Sequence, residues 1–139
     1  MNILLDTNVL SEGLRSVPAP SVMEWLGAQP SRALFVSSVT QAEMLSGAHL
    51  MPAGKRRQFL EQRLAILFGQ RFANRLLAFD GRAAERYAEV IAARQRAGRP
   101  ITQFAAQIAA IALAHDMQVA TRNFSDFTGC GLDVINPWD

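Results

Sequence analysis

Apolar residues follow two rhythms along this chain. Short runs bounded by polar or turn residues predict buried strands at Asn2–Leu5, Ala33–Val36, Arg75–Phe79, Gln118–Thr121 and Leu132–Ile135. Between them the apolar positions recur at helical spacing. Thr7 to Leu14 predicts a short helix, and Pro20 to Ala28 a second with Val22, Trp25 and Leu26 on one stripe. Ser37 or Ser38 is placed to cap a helix to about Leu50, which Pro52-Ala53-Gly54 terminates. Arg56 to Phe68 carries Phe59, Leu60, Leu64 and Leu67 on one side of a long amphipathic helix. Asp80 caps the next, from Gly81 to about Gln95, and Gly98 and Pro100 close it. Thr102 opens an apolar helix that ends near His115.

Strands alternating with helices predict an α/β fold whose parallel sheet is covered on both faces. No repeat, linker or shift in composition divides the chain, so residues 1–139 are expected to form one domain. In open sheets of this kind the working crevice lies beyond the carboxyl ends of the strands. Asp6 and the Thr121-Arg122-Asn123 segment both follow predicted strands, which places them on the same edge.

Composition removes several classes. With 139 residues, 50% of them hydrophobic, the chain can bury a substantial core and is not disordered. The single cysteine, Cys130, excludes an intrachain disulfide scaffold. MNILLDTNVL has no basic leader, and the longest nearly uncharged stretch, Pro100 to His115, is too short to span a bilayer. A cytoplasmic protein with no membrane partner is expected.

Charge is uneven. The net is +2, but Ala53 to Arg99 holds 11 basic residues against 4 acidic, and the remainder holds 3 against 8. A basic middle suits an anionic partner, RNA or an acidic protein segment, as well as an ordinary solvated face. Lys55, Arg56 and Arg57 stand at a predicted helix N-terminus, where cations oppose the macrodipole; that placement favours a contact role. Arg82, Arg86 and Arg94 on the next helix read either way.

Four positions could carry chemistry. Asp6 can cap the helix that follows it, hold a cation, or do both. Glu43 falls on a largely apolar face, where a carboxylate needs a partner such as a metal or Arg. Asn123 and Asp126 suit turn chemistry or oxygen ligation of a hard cation. His49 and His115 lack ligand spacing, so a zinc site is not expected.

Four blocks, LLDTNVLSE, VSSVTQAEMLSGA, VATRNFSDF and INPWD, resemble in this order the PIN-domain ribonuclease toxins of the VapC type, and the ending is most similar to the FitB-like subgroup. The resemblance implies a PIN-like three-layer sandwich with a central, mostly parallel sheet flanked by helices. It also implies Mg²⁺- or Mn²⁺-dependent cleavage of RNA, tRNA or mRNA, by a homodimer that a cognate antitoxin neutralises. Asp6 and Glu43 match the first two acids and are the implied metal ligands. Asn123 matches the fourth acidic position, with Asp126 close enough to assist. Thr7 and Asn8 match residues that support the first acid, and Thr121 matches a supporting hydroxyl residue beside the site.

The third acid is absent. PITQFAAQIAAIA places Ala105 where the family pattern has Asp. The resemblance therefore implies a ribonuclease impaired at this position, whether by an introduced substitution, which the toxicity of such enzymes to their host favours, or by natural loss. Two rivals remain: a PIN-like protein that binds RNA or antitoxin without cutting, and a phosphatase-like hydrolase using Asp6 as nucleophile. The second is disfavoured because the residue two after Asp6 is Asn8, not an acid.

Overall fold

The computed structural model describes residues 1–139. Five strands, β1 (Ile3–Leu5), β2 (Leu34–Ser37), β3 (Leu76–Leu77), β4 (Gln118–Ala120) and β5 (Val134–Ile135), form one sheet in the order β3-β2-β1-β4-β5. All pairings are parallel, with Leu4 beside both Phe35 and Val119. The helices are α1 (Thr7–Gly13), α2 (Pro20–Ala28), α3 (Ser38–Leu50), α4 (Lys55–Ile66), α5 (Gly81–Arg96), α6 (Gln103–Ala114) and α7 (Phe124–Phe127).

Alternation along the strands divides the core. Leu4 and Val119 face α5 and α6, while Ile3, Leu5, Val36 and Ala120 face α1, α2 and α4. The result is the three-layer α/β sandwich expected. No helix is long and apolar enough to cross a membrane.

Boundaries depart from the expected ones where tertiary pairing decides them. β3 keeps two of the five residues expected over Arg75–Phe79, and β5 keeps Val134 and Ile135. Both lie at the sheet edges, where only one neighbour supplies hydrogen bonds. The helix expected to Phe68 gives way after Ile66 to a wider turn over Leu67–Arg71, which lets Leu67, Phe68 and Phe72 reach the core together. Neither α7 nor the single turn at Ser31–Ala33 was expected.

The order of the strands fixes the site. From β1 the chain moves outward through β2 to β3, then returns to the other side of β1 as β4. Strand order thus reverses between β1 and β4, and at such a switch point the connections diverge and leave a crevice. Asp6 closes β1 and Thr121 closes β4 at that point, with the Asp6 N–H bonded to the Ala120 carbonyl at 2.9 Å.

Candidate active site

Asp6 ends the central strand and caps α1. Its Oδ1 accepts the Thr7 N–H at 2.8 Å, and its Oδ2 accepts the Thr121 hydroxyl at 2.7 Å and the Asn8 amide at 3.3 Å. The side chain is thus both a cap and a rigidly held carboxylate. Only 7% of Asp6 is exposed. Burial raises its pKa, opposed by the Thr121 and Thr7 hydrogen bonds and reinforced by the charge of Asp126.

Thr7 joins this carboxylate to the next. Its N–H bonds Asp6 while its hydroxyl donates to Glu43 Oε1 at 2.8 Å and sits 3.0 Å from the Thr40 hydroxyl. Glu43 lies one turn past Thr40 on α3, and the Ser37 hydroxyl, accepting the Thr40 N–H at 3.0 Å, anchors that helix. Sequence reasoning called for a metal or Arg beside Glu43; the protein partner is a threonine hydroxyl, and no cation pairs with it. Burial raises the Glu43 pKa, the Thr7 bond lowers it, and the Asp6 charge raises it further.

The third side is β4 and its loop. Thr121 is fully buried; its hydroxyl donates to Asp6 and accepts the Asn123 N–H at 3.0 Å. The Asn8 side chain closes the ring, with Oδ1 accepting the Arg122 N–H at 3.2 Å. Asn123 begins α7 without capping it through its side chain, so turn chemistry does not occupy its amide. Asp126 follows on α7.

Asp6, Glu43, Asn123, Asp126, Thr102 and Ala105 line one open cleft of about 420 Å³. Ala105 stands in the first turn of α6, 8% exposed, its N–H held by the Thr102 hydroxyl at 3.2 Å. Ala105, where the family resemblance implied an acid, therefore lines the same cleft as Asp6 and Glu43.

The donors are carboxylates, an amide and hydroxyls, a hard-oxygen set that suits Mg²⁺ or Mn²⁺ rather than zinc. No three His, Cys, Asp or Glu side chains converge closely enough to hold an ion on their own. Asp6 and Glu43 fit the sparse mode in which Mg²⁺ keeps most of its waters and takes the remaining oxygens from substrate phosphate.

The basic candidates lie outside the cleft. Arg57 donates to Glu61 and to the Met51 carbonyl and pairs with His49. Arg82 donates to the Ala114 carbonyl, at the opposite end of α6 from Ala105, and Arg86 pairs with Glu89 on the surface. Lys55 and Arg56 sit in the first turn of α4, which Gly54 leaves without a side-chain cap.

Arg94, read from sequence as a candidate contact, is instead buried. Its guanidinium donates to the carbonyls of Arg99, Asp126 and Thr128, at 2.6, 2.9 and 2.9 Å, and so fixes α7 against α5. The signal was present: Ala83, Val90 and Arg94 share one stripe of α5. Glu12 was also missed. It is buried, and its carboxylate accepts the Ala19 N–H at 2.8 Å at the start of α2. That bond, helped by Arg15, lowers its pKa.

The fold that carries this site is shared with known proteins. A family model described as PIN domain matches residues 3–127. The chain is 45% identical to the plasmid stability protein StbB of Pseudomonas syringae pv. tomato over 99% of both chains. It is 42% identical to the VapC ribonuclease Y4jK of Sinorhizobium fredii, covering 99% of this chain and 98% of that one. Identity to the toxin FitB of Neisseria gonorrhoeae is 38% over 98% of each. The solved structure of FitAB bound to a DNA fragment superposes with a TM-score of 0.94 at 38% identity, covering 99% of this chain and 96% of that one. The chain belongs to the PIN-domain family, beside relatives named VapC ribonuclease and toxin FitB.

Proposed function

We propose that this chain is a metal-dependent ribonuclease toxin of a toxin–antitoxin pair, impaired because Ala105 replaces its third acid. Residues 1–139 act as one domain in this reading. The observation that carries it is the Asp6–Thr7–Glu43 relay, which holds two carboxylates on one cleft at the switch point of a parallel sheet. Nothing in a structural core calls for that pairing, since two partly buried acids raise each other's cost of ionisation. A cation relieves it.

Asp6 and Glu43 would hold Mg²⁺ or Mn²⁺, whose chemistry is to activate water and to stabilise charge on the scissile phosphate. Thr121 and Asn8 orient Asp6, and Thr7 orients Glu43. Asn123 and Asp126 face the same space from α7 and can hold water or a phosphate-bound hydroxyl by hydrogen bonds. With Ala105 as third wall, both ion affinity and water placement fall short.

The same reading makes RNA, tRNA or mRNA, the substrate, the cytoplasm the location, and a homodimer neutralised by a cognate antitoxin the cellular form. An apolar groove of about 360 Å³ among α1, α2 and the end of α4, lined by Leu10, Leu14, Met23, Leu26, Leu67 and Phe72, fits the apolar face of an antitoxin segment. The inert PIN-like binder stays as second reading, favoured by the absence of any three-ligand cluster.

Restoring the acid separates the two. Ala105→Asp should raise Mn²⁺ affinity and metal-dependent cleavage of a mixed tRNA and mRNA pool together, and chelator or Asp6→Ala should abolish cleavage. A restored protein that folds, binds metal and cuts no RNA would hand the assignment to the binding module.

A further inference from the structure

Phe104 and Phe124 are 56% and 51% exposed, the first in the functional cleft and the second next in sequence to one of its lining residues. Phe104 lines it beside Ala105, and Phe124 follows the cleft residue Asn123. Neither ring belongs to or packs against either core cluster, whereas Phe127, three residues after Phe124, is 1% exposed and inside one. Arg122, in the same loop as Phe124, adds an exposed cation whose guanidinium lies 5.2 Å above the Trp138 ring. One half-solvated ring thus lies in a cleft lined by eight polar residues and four hydrophobic ones, and a second ring and a cation lie in the loop that supplies Asn123 and Asp126.

We propose that Phe104 is a stacking platform for an unpaired nucleobase next to the phosphate that enters the cleft, with Phe124 as a second platform. This rests on the ribonuclease reading and adds where a single-stranded substrate gains its affinity. Aromatic rings combined with cations are the means by which proteins hold single-stranded nucleic acid, because every base offers a π face. The cleft contains no Lys or Arg, so the nucleotide needs attraction besides charge. A protein partner fits Phe104 less well. Interface anchors sit in apolar surroundings that exclude water, and this half-exposed ring shares an open cleft with carboxylates, amides and hydroxyls.

The test uses the full chain as it stands, whose Ala105 suppresses cleavage, with Mg²⁺ present. The probe is a single-stranded RNA oligonucleotide carrying 2-aminopurine, read by fluorescence quenching and by anisotropy. Phe104→Ala should weaken binding from about 5-fold to about 100-fold and remove the quenching. Phe104→Trp should keep both, and Phe124→Ala should lose less. The same sequence as a duplex should bind weakly and without quenching. Equal binding by wild type and Phe104→Ala would overturn the platform while leaving the ribonuclease reading intact. A loss in Phe104→Ala accompanied by a change in sedimenting species would assign the ring to a protein interface, which also overturns it. Wild type that binds no RNA at all would overturn the ribonuclease reading itself.

Discussion

Helices α3 and α6 enter the cleft by the same local device and deliver opposite chemistry. Each begins behind a hydroxyl cap: Ser37 accepts the Thr40 N–H at 3.0 Å, and Thr102 accepts the Ala105 N–H at 3.2 Å. On α3 the next turn presents Glu43, held by Thr7. On α6 the first turn presents Ala105, buried against the core, and no carboxylate. The cap, the backbone and the cleft wall are all in place around Ala105. In the proposed reading, what α6 lacks is one side chain, not a scaffold. An acid in a helix's first turn is also favoured by the dipole, by about 0.3–1 kcal/mol, so alanine there forgoes a local benefit as well.

The largest expected effect makes the two helices equal and then reverses them. Ala105→Asp should raise the rate of RNA cleavage on the order of 10³-fold, because a metal-centred charge stabilisation is worth several kcal/mol and each 1.36 kcal/mol is tenfold. In that background Glu43→Ala should return the rate to its starting level. Single-turnover cleavage with excess enzyme measures both. If Glu43→Ala left the restored protein active, the two helices would not act on one ion.

Next is a difference in how the two walls are braced. The α7 loop near α6 hangs on the buried Arg94, while the α3 wall has no such cation. Arg94→Met keeps the volume but leaves three carbonyls without their donor, which should cost about 2–4 kcal/mol. Urea denaturation measures it, and metal affinity in the restored protein should fall too as Asp126 loses its anchor. A cost below about 1 kcal/mol would show that the loop holds itself.

On the α3 wall the brace is Thr7. Thr7→Val is isosteric and removes only the hydroxyl that fixes Glu43. In the restored protein Mn²⁺ affinity should fall by about 10- to 100-fold, as for other groups that orient a metal ligand. The fold should survive, and titration of Mn²⁺ by calorimetry reads the change. Unchanged affinity would remove Thr7 from the site.

The two walls were not equally legible. Asp6, Thr121 and the capped starts of α3 and α6 follow from apolar runs ending in polar residues, and the structure places them on one edge. Ala105 was found only because a pattern elsewhere demands an acid there; alanine in an apolar helix is otherwise unremarkable. The hydroxyl partner of Glu43 was not legible, because strand-to-helix register, which brings Thr7 to α3, is a tertiary fact. Arg94 was read as a surface contact and Glu12 was passed over because charge argues for the surface, yet backbone groups can satisfy a buried ion. Short α7 has too few residues to show a period at all.

The smallest effect is a slope rather than a step, and it tests whether the two carboxylates answer to each other. Burial raises the pKa of both Asp6 and Glu43 above their ordinary 3.8 and 4.5. The folded chain therefore keeps protons that the unfolded chain has already released. Stability from these groups is fully present below the ordinary values and is lost as pH rises through the raised ones. Glu12 and Asp80, with pKa values held low by the Ala19 and Ala83 N–H groups, act in the opposite sense: their contribution is present above the ordinary values and is lost as pH falls through the lowered ones. As pH rises from the ordinary values through the raised ones, then, the cleft acids should pull stability of the metal-free protein downward. Asp6→Asn should flatten that decline, relieving its own burial and also the repulsion felt by Glu43. Mg²⁺ should stabilise wild type more at pH 7.5 than at pH 5, because the ion needs the ionised forms. Urea midpoints at the two pH values, with and without Mg²⁺, read all of this. An Asp6→Asn variant with the same slope as wild type would mean that burial does not raise the Asp6 pKa and that its charge does not press on Glu43, so that Thr7 links their positions without linking their charges.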